Sequence, residues 1–158
     1  MSGPAPDRTA GAGSQPRRLF VEFVWTVLTH PLFLVAAGGA AGSVARYTAG
    51  MWVDARLTVG GMPWGTFTVN VVGSFIVGVL ALFVLERLPP NYRGFYLLFG
   101  TGFCGGFTTF STFEWETFKL IRDGSWGVAG AYVFGSLVCG FLGVIAAVFV
   151  VHVLFGRP

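Results

Sequence analysis

Side chains suited to ion chemistry are concentrated in one stretch, GTGFCGGFTTFSTF at residues 100–113. Gly105 and Gly106 are poor helix formers, and the Thr and Ser hydroxyls that follow can satisfy backbone groups freed by a break. Carbonyls exposed at such a break suit a cation, as in the discontinuous helices of transporters. A helix that is only kinked would also fit the sequence. The composition favours a helix that breaks inside this stretch.

Neutral hydrogen-bond donors and aromatic edges accompany this stretch. Phe110 and Phe113 are three residues apart and share one helix face, and the edge of a phenyl ring carries positive potential. Asn70 offers amide N–H groups, while Tyr132 and Ser136, four residues apart, offer hydroxyls. We expect neither a lysine nor a membrane-embedded carboxylate beside them. This set of donors favours binding of a small anion.

Membrane-spanning helices must position these residues. The chain has 158 residues, of which 54% are hydrophobic and 11% charged, whereas soluble domains carry about 25% charged residues. A helix needs about 20 apolar residues to cross a bilayer. Four segments qualify, at about 31–53, 64–86, 94–120 and 125–153. The sequence predicts an all-α membrane protein with four transmembrane helices, the third broken mid-membrane, and both termini on one side.

The first 30 residues differ from the membrane domain, which we assign to 31–158. Residues 1–18 are rich in Gly, Pro, Ala and Ser, which indicates a disordered tail. Residues 19–28, LFVEFVWTVL, are too few to span and contain Glu22, so they predict a short amphipathic or interfacial helix, or a helical lead-in to the first span, rather than a cleaved signal. Lysines and arginines near the helix ends favour termini inside by a small margin.

Composition also excludes several classes of protein. The net charge of +3 comes from scattered residues and leaves no nucleic-acid footprint. Cys104, Cys139 and the two histidines lack metal-ligand spacing, so we expect no enzyme.

Two further features bear on assembly. Arg46 is a charge inside the first predicted span, where it faces protein or water, or snorkels to the interface. Small residues at four-residue spacing allow close helix packing and predict an oligomer. The pairs are Gly38 and Gly42, Ser74 and Gly78, and Ser136 and Gly140.

Three segments together resemble the CrcB/Fluc fluoride channel family. They are GGAAGSVARY (38–47), GTFTVNVVGSFIVG (65–78) and GTGFCGGFTTFSTF (100–113), and the similarity extends from Leu34 to about Phe155. The resemblance implies an antiparallel, dual-topology dimer with two fluoride pores. It also implies passive fluoride export, and so fluoride resistance, by a multi-pass protein in the plasma membrane of a bacterium.

The resemblance also assigns roles to residues of the fluoride pathway. By motif, Phe110 and Phe113 would be pore-lining rings and Asn70 the pore-facing amide. Tyr132 and Ser136 would belong to a track of hydroxyls on the fourth helix. The next position on that face is a glycine where some members carry Ser, which leaves the far end of the track open.

The same motifs assign a cation site and an arginine. Backbone carbonyls of Gly105 and Thr108 would hold a structural Na⁺ shared between subunits. Arg46 matches the arginine that ends the first motif, with a structural or vestibule role. A homodimer is preferred, and a heterodimer with a paralogue stays open. Two different functions also fit parts of the sequence: a proton-coupled transporter like the small multidrug-resistance proteins, and an accessory subunit of a larger complex.

Overall fold

The computed structural model describes residues 15–156, which form helices joined by short turns, with no strand in that range. The all-α class is therefore confirmed for that range, while most of the predicted tail, residues 1–14, lies outside it. The helices are α1 (Gln15–Leu28), α2 (Pro31–Asp54), α3 (Trp64–Leu80), α4 (Arg93–Phe95), α5 (Gly105–Phe107), α6 (Phe110–Arg122) and α7 (Trp126–Phe155). Wider π-helical turns continue α3 over Ala81–Leu85 and join α4 to α5 over Tyr96–Cys104.

Several of these helices are apolar enough to cross a bilayer. By length and composition, Trp64–Leu85 and Trp126–Phe155 each qualify alone. Helices α1 and α2 qualify as a pair, bent by 61° at their junction. Large apolar side chains are exposed along these helices, while within 15–156 no charged residue is buried and Tyr132 is the one buried residue with a hydroxyl group. A surface of this kind needs lipid or a partner to cover it.

Glycines set how closely α2 approaches the segment Tyr96–Phe107. A methyl group on Gly38 would overlap the carbonyl oxygen of Leu98, and one on Gly42 would overlap that of Phe103. A methyl group on Gly102 would lie 2.8 Å from the carbonyl oxygen of Val35. The backbones therefore pack in direct contact, as small residues permit in membranes.

Polar contacts tie the helix ends together. The Asp54 carboxylate, at the end of α2, accepts a hydrogen bond of 2.7 Å from the N–H of Gly65 in the first turn of α3. A negative group there satisfies a free N–H and matches the helix dipole. At the other end of the bundle the Arg87 guanidinium donates to the last carbonyls of α7, those of Phe155 and Gly156.

Candidate functional site

The helix that carries the Gly/Thr/Phe stretch is interrupted between α5 and α6. Thr108 (φ −90°, ψ 159°) and Thr109 (φ −152°, ψ 126°) are extended, and α6 begins at Phe110. The interruption falls at the threonines, not at the glycines that suggested it. Gly105 and Gly106 keep helical geometry, and Gly106 is needed because a methyl group there would overlap the Gly39 carbonyl oxygen of α2.

Asn70 holds the interrupted backbone from α3. Its Nδ2 donates to the Thr109 carbonyl at 3.0 Å, and its Oδ1 accepts from the Thr109 N–H at 2.7 Å. The side chain thus replaces both bonds that Thr109 would make inside a helix. Nδ2 carries two hydrogens, so one N–H of Asn70 stays available to a ligand.

The same arrangement removes the usual donors from two carbonyls. In an unbroken helix, Gly105 O would accept from Thr109 N–H and Thr108 O from Thr112 N–H. Instead, Thr109 N–H donates to Asn70, and Thr112 N–H donates to the Thr109 hydroxyl at 3.3 Å. Within residues 15–156 neither carbonyl accepts a hydrogen bond. Uncharged carbonyls freed at a helix break fit a cation such as Na⁺.

A groove of about 490 Å³ runs along the interruption. It brings together six of the eight predicted site residues, and none of the described residues that line it is charged. The predicted residues in its lining are Asn70, Gly105, Thr108, Phe110, Phe113 and Ser136. Ser74, Thr101 and Thr109 contribute further hydroxyl groups.

The two phenylalanines occupy different environments in this groove. Phe110 is 67% exposed, whereas Phe113 is only 8% exposed. Their ring centroids lie 5.8 Å apart, with the planes tilted by 39°. Phe113 packs on Tyr132 with a centroid distance of 5.0 Å. One ring is therefore fixed against the protein, and the other faces the open side of the groove.

Tyr132 lies behind Phe113 and does not line the groove. It is completely buried, and its hydroxyl donates to Oε2 of Glu116 at 2.8 Å. The second carboxylate oxygen, Oε1, accepts from the Thr66 hydroxyl at 3.1 Å. The expectation that no carboxylate lies beside the predicted donors is therefore wrong. Glu116, near the middle of α6, bridges α3 and α7.

Ser136 lines the groove with an unsatisfied hydroxyl. Its Oγ is buried and is the one buried side-chain oxygen or nitrogen of the described residues that lacks a hydrogen-bond partner. A buried polar group without a partner costs about 1–3 kcal/mol, so this hydroxyl suits a bound ion or water. The next position on this face of α7 is Gly140, which has no side chain. The Ser74 hydroxyl of α3 lies beside it, 3.5 Å from where a methyl group on Gly140 would be. Ser74 thus supplies a hydroxyl next to that position.

Arg46 lies apart from these residues, in a second groove of about 360 Å³. Asp54 also lines this second groove, as do Tyr47 and Thr66. Thr109 lines both grooves, so the Asn70–Thr109 contact forms the partition between them.

Sequence reasoning did not assign four residues to the site: Thr66, Ser74, Thr101 and Glu116. The position of Ser74 four residues after Asn70 could have indicated it, since that spacing places both on one face of α3. Nothing in the local sequence distinguishes Glu116 from its exposed neighbour Glu114. Its partners come from two other helices.

Comparison with known proteins gives consistent matches. The family model "CrcB-like protein, Camphor Resistance (CrcB)" matches residues 33–148. The fluoride-specific ion channel FluC 1 of Mycobacterium tuberculosis is 49% identical over 114 residues, or 72% of this chain and 83% of that protein. The fluoride-specific ion channel FluC of Nitrobacter winogradskyi is 41% identical over 135 residues, covering 82% of this chain and 98% of its own length.

Proposed function

The chain belongs to the CrcB-like family, as its three motifs suggested, and on that premise we propose that it is a fluoride-specific ion channel. It lets fluoride leave the cytoplasm passively and so protects the cell from fluoride. It is a channel and not an enzyme, since passive export needs binding and release without bond making. A membrane potential that is negative inside supplies the force, at about 2.3 kcal/mol per elementary charge for each 100 mV.

The single observation that carries this proposal is the uncharged groove at the helix interruption. Fluoride is small and strongly hydrated, so a pore must replace its water with several donors without trapping it. The groove offers the free N–H of Asn70, the unsatisfied hydroxyl of Ser136 and the ring edges of Phe110 and Phe113. Each is a weak donor, and no lysine or arginine among the described residues lines the groove to hold the anion permanently.

The route we propose connects the two grooves. Anions enter through the second groove, where Arg46 is the cationic lining residue and the Asp54 carboxylate is the acidic one. Thr109 lines both grooves, so we place the crossing to the Phe110 and Phe113 side at the Asn70–Thr109 partition, which must open for an ion to pass. Tyr132 does not line this route. It contributes by packing against Phe113 and so holding that ring in place.

The functional unit we propose is an antiparallel dimer of four-span subunits, with the third span broken mid-membrane. Phe110 and Gly105 are exposed on the open side of the groove, and a methyl group on Gly105 would touch nothing within 4 Å. A second copy would cover this side and complete the pore. A homodimer is the simplest form, with a paralogue as the alternative partner.

Na⁺ fits the carbonyls of Gly105 and Thr108, which accept no hydrogen bond within residues 15–156. A bound Na⁺ would supply positive charge that holds the interrupted helices of two subunits together. We propose this ion as a structural cofactor at the dimer interface, in a multi-pass protein of the bacterial plasma membrane.

The test is anion efflux from liposomes that contain the purified protein, with valinomycin carrying the counter-charge. Fluoride should leave rapidly, and chloride should leave no faster than from empty liposomes. Equal rates for the two anions, or no flux from a stable and folded dimer, would overturn the proposal.

A further inference from the structure

Helix α1 has two clearly different faces. Arg18, Glu22 and Thr26 follow one another at spacings of four residues, so they form one polar stripe, which Thr29 continues in the turn just after the helix. The opposite side carries Phe20, Phe23, Val24, Val27 and Leu28, with Arg17 at the N-terminal end of the same side. A helix with a narrow polar stripe and a broad apolar face is typical of segments that lie at a membrane surface.

Within residues 15–156, this apolar face has almost no protein partner. Among the α1 residues whose side chains are described, Val24 is the only one that is not exposed. Phe20, Phe23 and Trp25 are each about two-thirds exposed. Such a face is not stable in water and must be covered.

The junction with α2 prevents α1 from extending the span. The Nδ1 of His30 accepts from the N–H of Leu32 at 3.3 Å, and Pro31 begins α2. These contacts start a new helix, and the two axes differ by 61°. With 14 residues, α1 is about 21 Å long at ~1.5 Å per residue, too short to cross a hydrocarbon core of about 30 Å. Helix α1 therefore meets the N-terminal end of α2 at a steep angle. If α2 spans a bilayer, that end lies at the bilayer surface.

Charge at the start of α1 indicates which surface it contacts. Arg17 and Arg18 are exposed in the first turn, where no acidic residue lies. Positive charge at a helix N-terminus opposes the helix dipole, so these residues do not stabilise the helix itself. Two adjacent guanidinium groups suit a phosphate group. Trp25, one of the amphipathic side chains enriched at membrane interfaces, lies on the flank of the polar stripe.

We propose that α1 lies in the plane of the membrane surface and binds anionic phospholipid headgroups through Arg17 and Arg18. Its apolar face enters the boundary between headgroups and acyl chains, about 5–10 Å deep. This inference requires that the chain resides in a bilayer, but it does not depend on fluoride conduction. Helix α1 also lies before the region that the family model matches, which begins at residue 33.

The experiment uses the full chain with both cysteines replaced by Ala and a nitroxide label at Phe20→Cys or Thr26→Cys. The protein is reconstituted in phosphatidylcholine vesicles, with or without one quarter phosphatidylglycerol. Collisions with oxygen report contact with lipid, and collisions with a water-soluble nickel complex report contact with water. The label at position 20 should meet oxygen, the label at position 26 should meet nickel, and phosphatidylglycerol should move the label at position 20 deeper.

The double variant Arg17→Gln/Arg18→Gln should lose the response to phosphatidylglycerol, whereas Arg122→Gln, at the end of α6, should keep it. Equal access of nickel to both labels would mean that α1 stands away from the bilayer. Shielding of both labels from both reagents would mean that α1 packs on a second copy. Either outcome, or a lipid response that persists in the double variant, overturns the proposal, and fluoride efflux measured on the same vesicles tests the proposed function separately.

Discussion

The side chain of Asn70 on α3 is bonded through both its oxygen and its nitrogen to the backbone of Thr109, 39 positions later in the chain. This pair of bonds takes the place of helical hydrogen bonds at the interruption. It also places the remaining N–H of Asn70 in the same groove as Phe110. One residue therefore both holds the interrupted backbone and leaves an N–H donor in this groove.

Replacing Asn70 by Asp should abolish fluoride efflux. The carboxylate can still accept from Thr109 N–H, but it loses the donor to Thr109 O and repels the anion. The lost bond should also lower the free energy of unfolding by about 1–3 kcal/mol. The measurement is liposome efflux beside thermal unfolding in detergent. Asn91→Asp, in an exposed turn, is the matched control and should leave both unchanged. Normal flux in Asn70→Asp would remove Asn70 from the path.

Replacing Phe110 by Ile should reduce fluoride efflux sharply while the dimer stays intact. The change keeps an apolar side chain but removes the ring edge that would face the anion. Phe141→Ile is the control, because Phe141 on α7 is also 67% exposed but does not line the groove. Efflux and size-exclusion profiles should be compared for both variants. If Phe141→Ile loses as much flux as Phe110→Ile, the ring at position 110 has no special role.

Replacing Glu116 by Ala should destabilise the protein. It leaves the buried hydroxyl of Tyr132 without an acceptor, at a cost of about 1–3 kcal/mol. Tyr132→Phe removes that hydroxyl. The double variant Glu116→Ala/Tyr132→Phe should therefore lose less free energy of unfolding than the two single variants lose together. Detergent unfolding of the two single variants and the double variant measures the difference. Glu114→Ala, on the exposed face of α6, should have little effect, and strict additivity would mean that the Tyr132–Glu116 bond has no net worth.

Two glycine substitutions should affect different properties, one the stability of the fold and the other the stability of the dimer. A methyl group on Gly42 overlaps the carbonyl of Phe103 where α2 packs against it, so Gly42→Ala should destabilise the fold by about 1–3 kcal/mol. A methyl group on Gly105 meets nothing within 4 Å in the protomer, so Gly105→Ala should leave protomer unfolding unaffected. Because Gly105 faces the open side of the groove, that variant should instead weaken dimerisation, as measured by sedimentation at decreasing protein concentration. An undisturbed dimer would place the interface elsewhere.

Removing Na⁺ should impair assembly before it affects the helices. If Na⁺ holds the carbonyls of Gly105 and Thr108, exchange of Na⁺ for N-methylglucamine should lower fluoride efflux and dimer stability. Helix content by circular dichroism should stay constant, because the internal hydrogen bonds of each protomer do not involve the ion. Returning Na⁺ should restore flux. Unchanged flux after exhaustive exchange would argue against a sodium cofactor.

Local composition was sufficient to predict the helical class and the approximate place of the interruption. Apolar runs of sufficient length require helices in lipid, because every backbone group must be paired internally. The Gly and Thr residues between 100 and 113 indicated where pairing would fail. Both properties depend on residues close together in the chain, so they can be read without knowing which helices are neighbours.

The remaining features depend on contacts between helices distant in sequence. The interruption falls at Thr108 and Thr109 and not at Gly105, because the Asn70 side chain of α3 forms hydrogen bonds with both the N–H and the carbonyl of Thr109. Tyr132 is withdrawn from the groove because Glu116, sixteen residues earlier, accepts a hydrogen bond from its hydroxyl. A hydrogen bond forms only where packing brings two groups within about 3 Å. For that reason the residue types fixed which helices form, while the packing of α3, α6 and α7 decided which polar groups remain free to bind an ion.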